Sequence, residues 1–114
     1  MAIIGTHVLL YSPEAEALRA TLRDVIGWRS VDAHDGWLIF ALPPAELAVH
    51  PGETPRHEIS LMCDDIISTT ADLRAKGIEI RGEPEAMSWG VGVTMVLPGG
   101  VEVFLYQPRH PTAI

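Results

Sequence analysis

The sequence predicts an α+β fold built from two repeated modules, each with the order strand, helix and three strands. The first observation behind this prediction is the order of the predicted elements, which runs through once and then begins again. The second is a set of residues that recur fifty positions apart. His7 matches His57, and Gly27, which ends the first helix, matches Gly77, which ends the second. An internal repeat of this kind fixes an architecture more firmly than any single element does.

The third observation is a polar segment rich in proline and glycine near the midpoint, residues 51–56, which is typical of a linker. It divides a single domain into a first module over residues 1–50 and a second over residues 57–108, with a tail at 109–114. A chain of 114 residues is long enough for one domain with a hydrophobic core and too short for two ordinary ones.

In the first module, Ser12, Pro13 and Glu14 predict a helix start, with serine as N-cap and proline in the first turn. Gly27 is expected to end that helix. The sequence His34-Asp35-Gly36 predicts a tight hairpin turn. The strands of this module are expected over residues 3–11, 28–33, 37–42 and 46–50.

In the second module, Asp64 and Asp65 are expected to cap a helix that ends at Gly77. A loop containing Pro84 is expected over residues 82–89. The strands are expected over residues 57–63, 78–81, 90–97 and 101–108, the last pair joined by a turn at 98–100.

Side-chain alternation in the last strand places Val101, Val103 and Leu105 on one face and Glu102, Phe104 and Tyr106 on the other. Each module has one helix, which can cover only one face of its sheet. The uncovered faces of two modules must therefore pair and enclose a hollow, which predicts a small-molecule pocket on the concave faces and a homodimer.

Composition narrows the function. The formal net charge is −7 and only eight lysine and arginine residues are present, which argues against nucleic acid and anionic membranes as partners. Cys63 is the only cysteine, so no intrachain disulfide can form. The first residues lack the basic and apolar regions of a signal peptide, and we expect a cytoplasmic protein.

Six motifs in this order resemble the vicinal oxygen chelate superfamily of glyoxalases, bleomycin resistance proteins and extradiol dioxygenases, and more narrowly its small glyoxalase-like members. They are His7-Val8-Leu9-Leu10-Tyr11-Ser12, Leu22-Arg23-Asp24-Val25-Ile26-Gly27-Trp28, His57-Glu58-Ile59-Ser60-Leu61-Met62-Cys63-Asp64-Asp65-Ile66, Lys76-Gly77-Ile78, Ser88-Trp89-Gly90, and Pro98-Gly99-Gly100-Val101-Glu102-Val103-Phe104-Leu105-Tyr106-Gln107-Pro108.

The resemblance implies a metal site with histidines on the first strand of each module and glutamates on the last. His7 and His57 match the histidine positions, whereas Ala48 and Phe104 stand at the usual carboxylate positions. Glu102 lies on the same strand face as Phe104 and is the replacement carboxylate that we name, although a two-residue shift moves a side chain about 6–7 Å.

In the first module, Glu46 is the equivalent carboxylate beside Ala48, and His50 is a further nitrogen donor. Glu58 falls on the opposite strand face from His57 and is not counted as a site residue. One divalent ion (iron, zinc, manganese or nickel) and no cofactor at all stay equally open.

Two functions follow from the resemblance. The first is a superfamily protein with a degenerate metal site that binds an aromatic or amphipathic small molecule, as the bleomycin-binding branch does. The second is a metal-dependent lyase or dioxygenase that uses His7, His57 and a displaced carboxylate. The side chains expected to contact the ligand are Trp37, His50, Trp89, Phe104 and Tyr106.

Overall fold

The computed structural model describes residues 6–114 and has the predicted α+β architecture. Helix α1 spans Ala15–Thr21 and continues as a π-helical turn, Leu22–Ile26; helix α2 spans Ile66–Ala75. The strands are β1 (Ser30–Asp32), β2 (Leu38–Phe40), β3 (Ser60–Met62), β4 (Glu79–Met87), β5 (Gly90–Leu97) and β6 (Val101–Pro108). No helix among the described residues combines the length and the apolar character that crossing a bilayer requires.

Four strands of the second module form one mixed sheet in the order β3-β6-β5-β4. β3 runs parallel to β6, and the other pairs are antiparallel. Helix α2 begins as predicted, because the Asp65 Oδ1 atom accepts hydrogen bonds from the backbone N–H groups of Ile67 (3.0 Å) and Ser68 (3.1 Å). Gly77 follows its C-terminus with φ 89°, a conformation that suits glycine.

The core lies on the helix-covered face of this sheet. Its buried apolar strand residues alternate along β5 and β6 and are Val93, Met95, Leu97, Val103 and Leu105. Burying each such side chain contributes roughly 1.5–3 kcal/mol. Leu18 of α1 packs into the same cluster as Met95, so the helix of the first module stabilises the sheet of the second.

The start of α1 differs from the prediction. The N-cap residue is Glu14, and Ser12 lies two positions earlier, in the approach to the helix. The Ser12 hydroxyl accepts a hydrogen bond from the Glu14 N–H (3.0 Å) and donates one to the Pro98 carbonyl (2.8 Å). The Gly99 N–H donates to the Glu14 carboxylate at 2.8 Å. Both side chains therefore join α1 to the β5–β6 turn, and neither caps the helix.

The strand predicted at 78–81 forms and begins at Glu79, but the loop predicted at 82–89 was wrong over residues 82–87, which continue that strand. β4 runs without interruption from Glu79 to Met87, and its pairing with β5 shifts register between Arg81 and Glu85. Pro84 has no backbone N–H to donate. It is accommodated because β4 is the edge strand of the sheet and the register shift interrupts the hydrogen-bond ladder at this position.

The first module contains only one pair of strands within the described chain. The β1–β2 hairpin forms as predicted, with positive φ at Asp35 (45°) and Gly36 (83°), as a primed turn requires. Residues 6–11 and 46–50, expected as strands, form no ladder, and residues 3–5 of the first prediction lie outside the described part. A strand without a neighbour leaves its backbone groups unpaired, so these segments stay irregular in the single protomer.

Candidate ligand-binding site on the open sheet face

The face of the four-stranded sheet opposite the two helices carries the candidate site, and we call it the open face. The pairing register places its side chains in two rows across the strands. One row is Ser60, Phe104, Thr94 and Arg81, and the other is Met62, Tyr106, Gly92 and Glu85. The predicted sharing of one face by Phe104 and Tyr106 agrees with this register.

Three rings on this face form an aromatic cluster, Trp89, Phe104 and Tyr106. The Trp89 ring centroid lies 5.6 Å from that of Phe104 and 5.0 Å from that of Tyr106, with interplanar angles of 58° and 80°. Phe104 and Tyr106 stack at 5.9 Å with an angle of 25°. These separations fall within the range of favourable aromatic pairs. Trp89 is 40% exposed, so the cluster presents ring surface to solvent.

Two glycines of β5 provide the space for these rings. A Cβ atom at Gly92 would collide with the Phe104 ring, and one at Gly90 would come within 3.0 Å of Tyr106 Cδ2. Each ring therefore lies diagonally across bare backbone of the neighbouring strand, a known use of aromatic side chains over strand glycines. The Gly-Val-Gly pattern at the start of β5 is the sequence signal for this arrangement.

His110 extends the cluster from the tail. Its Nε2 atom lies 3.0 Å from the Tyr106 hydroxyl, and its Nδ1 atom lies 2.8 Å from the carbonyl oxygen of Pro111. A carbonyl can only accept, so Nδ1 donates to Pro111 and Nε2 accepts from the tyrosine. The sequence offered no periodic signal for His110, because it lies beyond the last strand.

Glu46 is a charged group that influences Tyr106 of the cluster. It is half-buried, and its Oε1 atom is fully buried with no hydrogen-bond partner within residues 6–114. Burial raises the pKa of the Tyr106 phenol above its usual value, and the negative charge of Glu46 raises that pKa further. Sequence reasoning considered Glu46 only as a metal ligand.

The side chains that were predicted to bind a metal ion do not form a cluster in this protomer. His7 and His57 are exposed and lie outside any strand, and Glu102 forms an ion pair with Arg81. Across residues 6–114, no three His, Cys, Asp or Glu side chains are grouped so that they could hold an ion. The donor set of the single protomer therefore does not fit a metal, and the metal site stays a prediction.

The pairing register of β3 also indicates which face of the sheet His57 and Glu58, which precede this strand, belong to. Ser60 and Met62 pair with Phe104 and Tyr106 on the open face, whereas Ile59 and Leu61 pack in the core. By alternation, Glu58 shares the parity of the open face and His57 shares the parity of the core. Glu58 itself is exposed and pairs with Arg56 at 3.4 Å.

The two remaining predicted contact residues lie apart from the aromatic cluster. The Trp37 ring is 55% exposed and stacks under the Arg19 guanidinium of α1, whose Cζ atom lies 4.7 Å from the ring centroid. His50 is exposed, with Nδ1 2.7 Å from the Pro51 carbonyl oxygen. The structure thus brings together Trp89, Phe104 and Tyr106 of the five.

Two surface depressions lie away from the open-face rings. One, of about 230 Å³, is lined by the β1–β2 hairpin between Arg29 and Ala41. The other, of about 440 Å³, lies between α1 and the β5–β6 turn and is lined by residues such as Glu14 and Gly99. Neither contains a convergent set of aromatic and polar groups, so we base the site on the aromatic cluster and not on these depressions.

Comparison with known proteins shows similarity of fold. No protein-family model and no curated protein matches the chain. Among solved structures, the antibiotic binding protein TnmS3 from Streptomyces sp. CB03234 matches with a TM-score of 0.70 and 22% identity, over 96% of this chain and 99% of the other.

Two further structures give similar matches. A member of the glyoxalase/bleomycin resistance protein/dioxygenase superfamily from Sphaerobacter thermophilus has a TM-score of 0.64 and 22% identity, covering 94% of this chain and 98% of the other. Lactoylglutathione lyase from Agrobacterium tumefaciens has a TM-score of 0.63 and 19% identity, covering 93% and 92%. The predicted resemblance is thus confirmed at the level of the fold, and the chain has the fold of the glyoxalase/bleomycin resistance protein/dioxygenase superfamily.

Proposed function

We propose that this protein binds a small aromatic molecule on the open face, against the aromatic cluster, without a metal ion. The observation that carries the proposal is the position of Phe104. The family resemblance puts a metal-binding carboxylate there, and in this chain a ring stands at that place, packed with Trp89 and Tyr106. A phenyl ring cannot ligate a metal, but it can stack with a ligand.

The physical properties of the cluster suit such a ligand. Small-molecule sites are mostly apolar and aromatic, with a few polar groups that fix orientation. Here three rings supply apolar surface, and the Tyr106 hydroxyl and His110 supply hydrogen-bonding groups. An aromatic pair contributes about 0.5–1.5 kcal/mol beyond the burial of its surface. Because Gly90 and Gly92 let the rings lie close to the sheet, the site needs little rearrangement to accept a flat molecule.

The solved structures lend limited support. TnmS3 is described as an antibiotic binding protein, whereas the Agrobacterium tumefaciens neighbour is a lyase. One fold therefore serves both binding and catalysis, and fold similarity alone does not choose between them. The argument for binding comes from the residues at the site.

We also propose that the protein is a homodimer. The protomer exposes 8552 Å², whereas a compact monomer of 12.4 kDa exposes about 6,100 Å². Its radius of gyration is 15.1 Å, compared with about 13 Å for a compact domain of this length. The excess surface of two protomers falls in the range of about 2,000–5,000 Å² that obligate dimers bury.

Several of the most exposed apolar residues belong to the two irregular segments, residues 6–11 and 46–50. Leu47 is 92% exposed, Val49 is 93% exposed and Tyr11 is 83% exposed. A second copy that covers these segments would satisfy their backbone groups and bury their side chains. The same contact would turn the open face into the wall of an enclosed pocket.

The acidic composition and single cysteine support a cytoplasmic protein with neither nucleic acid nor membrane as partner.

The binding proposal is tested by titrating the protein with a panel of flat, neutral aromatic compounds, starting with 2-naphthalenemethanol, while tryptophan fluorescence is recorded. Chelator-treated protein is expected to bind as well as untreated protein. Phe104→Ala is expected to weaken binding at least tenfold, and Trp37→Phe serves as the matched control that leaves affinity unchanged. The absence of binding across the panel, binding that requires a metal, or binding insensitive to Phe104→Ala would refute the proposal.

A further inference from the structure

We propose that His110 is a positioning residue that fixes the Tyr106 hydroxyl as a hydrogen-bond acceptor, so that the open face selects an aromatic ligand with an O–H or N–H donor beside its ring. The inference rests on the proposed function and names the class of ligand for the same site. It starts from the contacts that the tail, residues 109–114, makes with the aromatic cluster.

The first step concerns the attachment of the tail. The Arg109 N–H donates a hydrogen bond to the Trp89 carbonyl at 2.9 Å, one residue past the end of β6. The His110 ring follows and lies beside Tyr106, with 5.8 Å between the ring centroids and 3.0 Å between Nε2 and the hydroxyl oxygen. His110 is half-buried, whereas residues 111–114 are exposed. The backbone contact therefore holds the imidazole at the Tyr106 hydroxyl.

The second step concerns the proton of the His110 ring. Nδ1 lies 2.8 Å from the Pro111 carbonyl oxygen, which can only accept, so the neutral ring carries its proton on Nδ1. The other His-Pro pair of the chain makes the same contact, with 2.7 Å between His50 Nδ1 and the Pro51 carbonyl oxygen. The tautomer is therefore set within the dipeptide and does not depend on the tyrosine. Nε2 keeps a lone pair and accepts the Tyr106 proton.

The third step concerns what Tyr106 can still offer. A hydroxyl has one proton and two lone pairs, and Tyr106 gives its proton to His110. Within residues 6–114, no N–H or O–H group donates to the Tyr106 oxygen. The Tyr106 side chain is half-buried and its ring stacks with Phe104 at 5.9 Å. A ligand ring packed on Phe104 therefore brings its substituent to a hydroxyl that can only accept.

The fixed direction of this hydroxyl discriminates among ligands of one shape. A ligand O–H or N–H group that points at the Tyr106 oxygen regains the hydrogen bond that it gives up to water. An ether oxygen at the same place meets a lone pair and loses its hydrogen bonds to water without replacement, whereas an apolar group has none to lose. The site is therefore expected to rank a pure acceptor below both a donor and an apolar group.

The experiment compares three neutral probes that share one ring. They are 2-naphthalenemethanol, which can donate, 2-(methoxymethyl)naphthalene, which can only accept, and 2-propylnaphthalene, which has the shape of the ether without its oxygen. By equilibrium dialysis at pH 8, the alcohol is expected to bind about tenfold, and the propyl compound about threefold, more tightly than the ether. The propyl probe separates polarity from size, because a site too small for the ether would refuse both.

The variants test whether His110 sets this preference. His110→Ala frees the Tyr106 proton to rotate toward the ether oxygen, so the preference for the alcohol over the ether is expected to fall below about twofold. Tyr106→Phe is expected to remove it as well. The matched control is His34→Ala, an exposed histidine before the turn of the β1–β2 hairpin, which should keep the full preference. A merely structural role of His110 would weaken all three probes alike and leave their ratios unchanged.

The tautomer is measured without any ligand. The nitrogen-15 chemical shifts of the His110 ring, assigned by their absence from His110→Ala, are expected to show a protonated Nδ1 and an unprotonated Nε2 at pH 8. A proton on Nε2 in place of Nδ1 would overturn the inference.

Equal affinity for alcohol and ether in the wild-type protein, or a preference that survives in His110→Ala, would also overturn it. The wild-type comparison of the three probes stands even when His110→Ala does not fold. Binding of the alcohol that Phe104→Ala weakens, without any preference over the ether, would leave the proposed function intact and remove only this inference. Failure of all three probes to bind would count against both.

Discussion

The two modules carry the same predicted order of elements, yet they differ in how much of their structure a single protomer completes. The second module forms a four-stranded sheet with strands of up to nine residues, covered by α2. Within the described part, the first module forms only α1 and a hairpin of two three-residue strands. Strand formation therefore depends on an available neighbour as much as on the local pattern.

The contrast has a local origin as well. β5 and β6 each have eight residues of clear alternation and are joined by a tight turn that lets them pair directly. The segment that would form the last strand of the first module follows Pro43 and Pro44, which remove two backbone donors. Most of the buried side chains that stabilise the fold consequently belong to the second module. The following predictions test this difference in stabilisation between the two modules.

The largest expected effect is from truncation in the shared core. Met95 is 1% exposed, and Met95→Ala should reduce the free energy of unfolding by about 2–5 kcal/mol, because it removes buried surface and leaves a cavity. Urea unfolding measures this loss. Leu47→Ala in the first module removes an exposed side chain and should cost less than about 0.5 kcal/mol in the isolated protomer. Similar losses for the two variants would contradict the comparison.

A second prediction concerns the hydrogen bonds that join the modules at the β5–β6 turn. Gly99 and Gly100 both have positive φ, 87° and 77°, so alanine is strained at either position. Only at Gly99 would the added Cβ also collide with Ser12 Oγ; at Gly100 nothing lies within 4 Å. Gly99→Ala should therefore lower the free energy of unfolding by about 1–3 kcal/mol more than Gly100→Ala does. Equal losses would show that the Ser12 contact contributes little.

A third prediction concerns the segments that lack strand partners. In a dimer that covers residues 46–50, Leu47→Glu should weaken self-association at least tenfold, because a charge would be buried at the interface. Sedimentation equilibrium measures the dissociation constant. Ile67→Glu is the control, since Ile67 is 68% exposed on α2 and away from these segments. A monomeric wild-type protein at micromolar concentration would contradict the dimer proposal outright.

The smallest expected effect concerns the alkaline limit of stability. Burial and then Glu46 raise the pKa of Tyr106 above its unfolded value of about 10. Above that pH the native state holds the phenolic proton more tightly than the unfolded state does. This contribution to stability is therefore complete below about pH 10 and is lost as the pH rises through the native pKa. Glu46→Gln should lower the Tyr106 pKa in an absorbance titration, whereas Glu16→Gln should not. An unchanged titration in Glu46→Gln would mean that Glu46 does not act on Tyr106.

Local chemistry predicted several features of both modules from the sequence. The Asp65 cap, the turn at Asp35-Gly36, the two long hairpin strands and the common face of Phe104 and Tyr106 all follow from turn residues, capping residues or a period of two. These features depend on contacts between residues that are near in sequence or directly paired. Similar reasoning failed for Pro84, because the tolerance of an edge strand for proline depends on its place in the sheet.

The sequence by itself therefore determined the α+β class, most elements of the second module and the presence of aromatic residues on one strand face. Only the tertiary structure decided that Ser12 joins the β5–β6 turn, that Glu102 pairs with Arg81, and that His110 contacts the Tyr106 hydroxyl. The physical reason is that periodicity encodes the direction of a side chain relative to its own strand or helix. Which distant residue it meets is set by how loops close and sheets pack, and no local pattern carries that information.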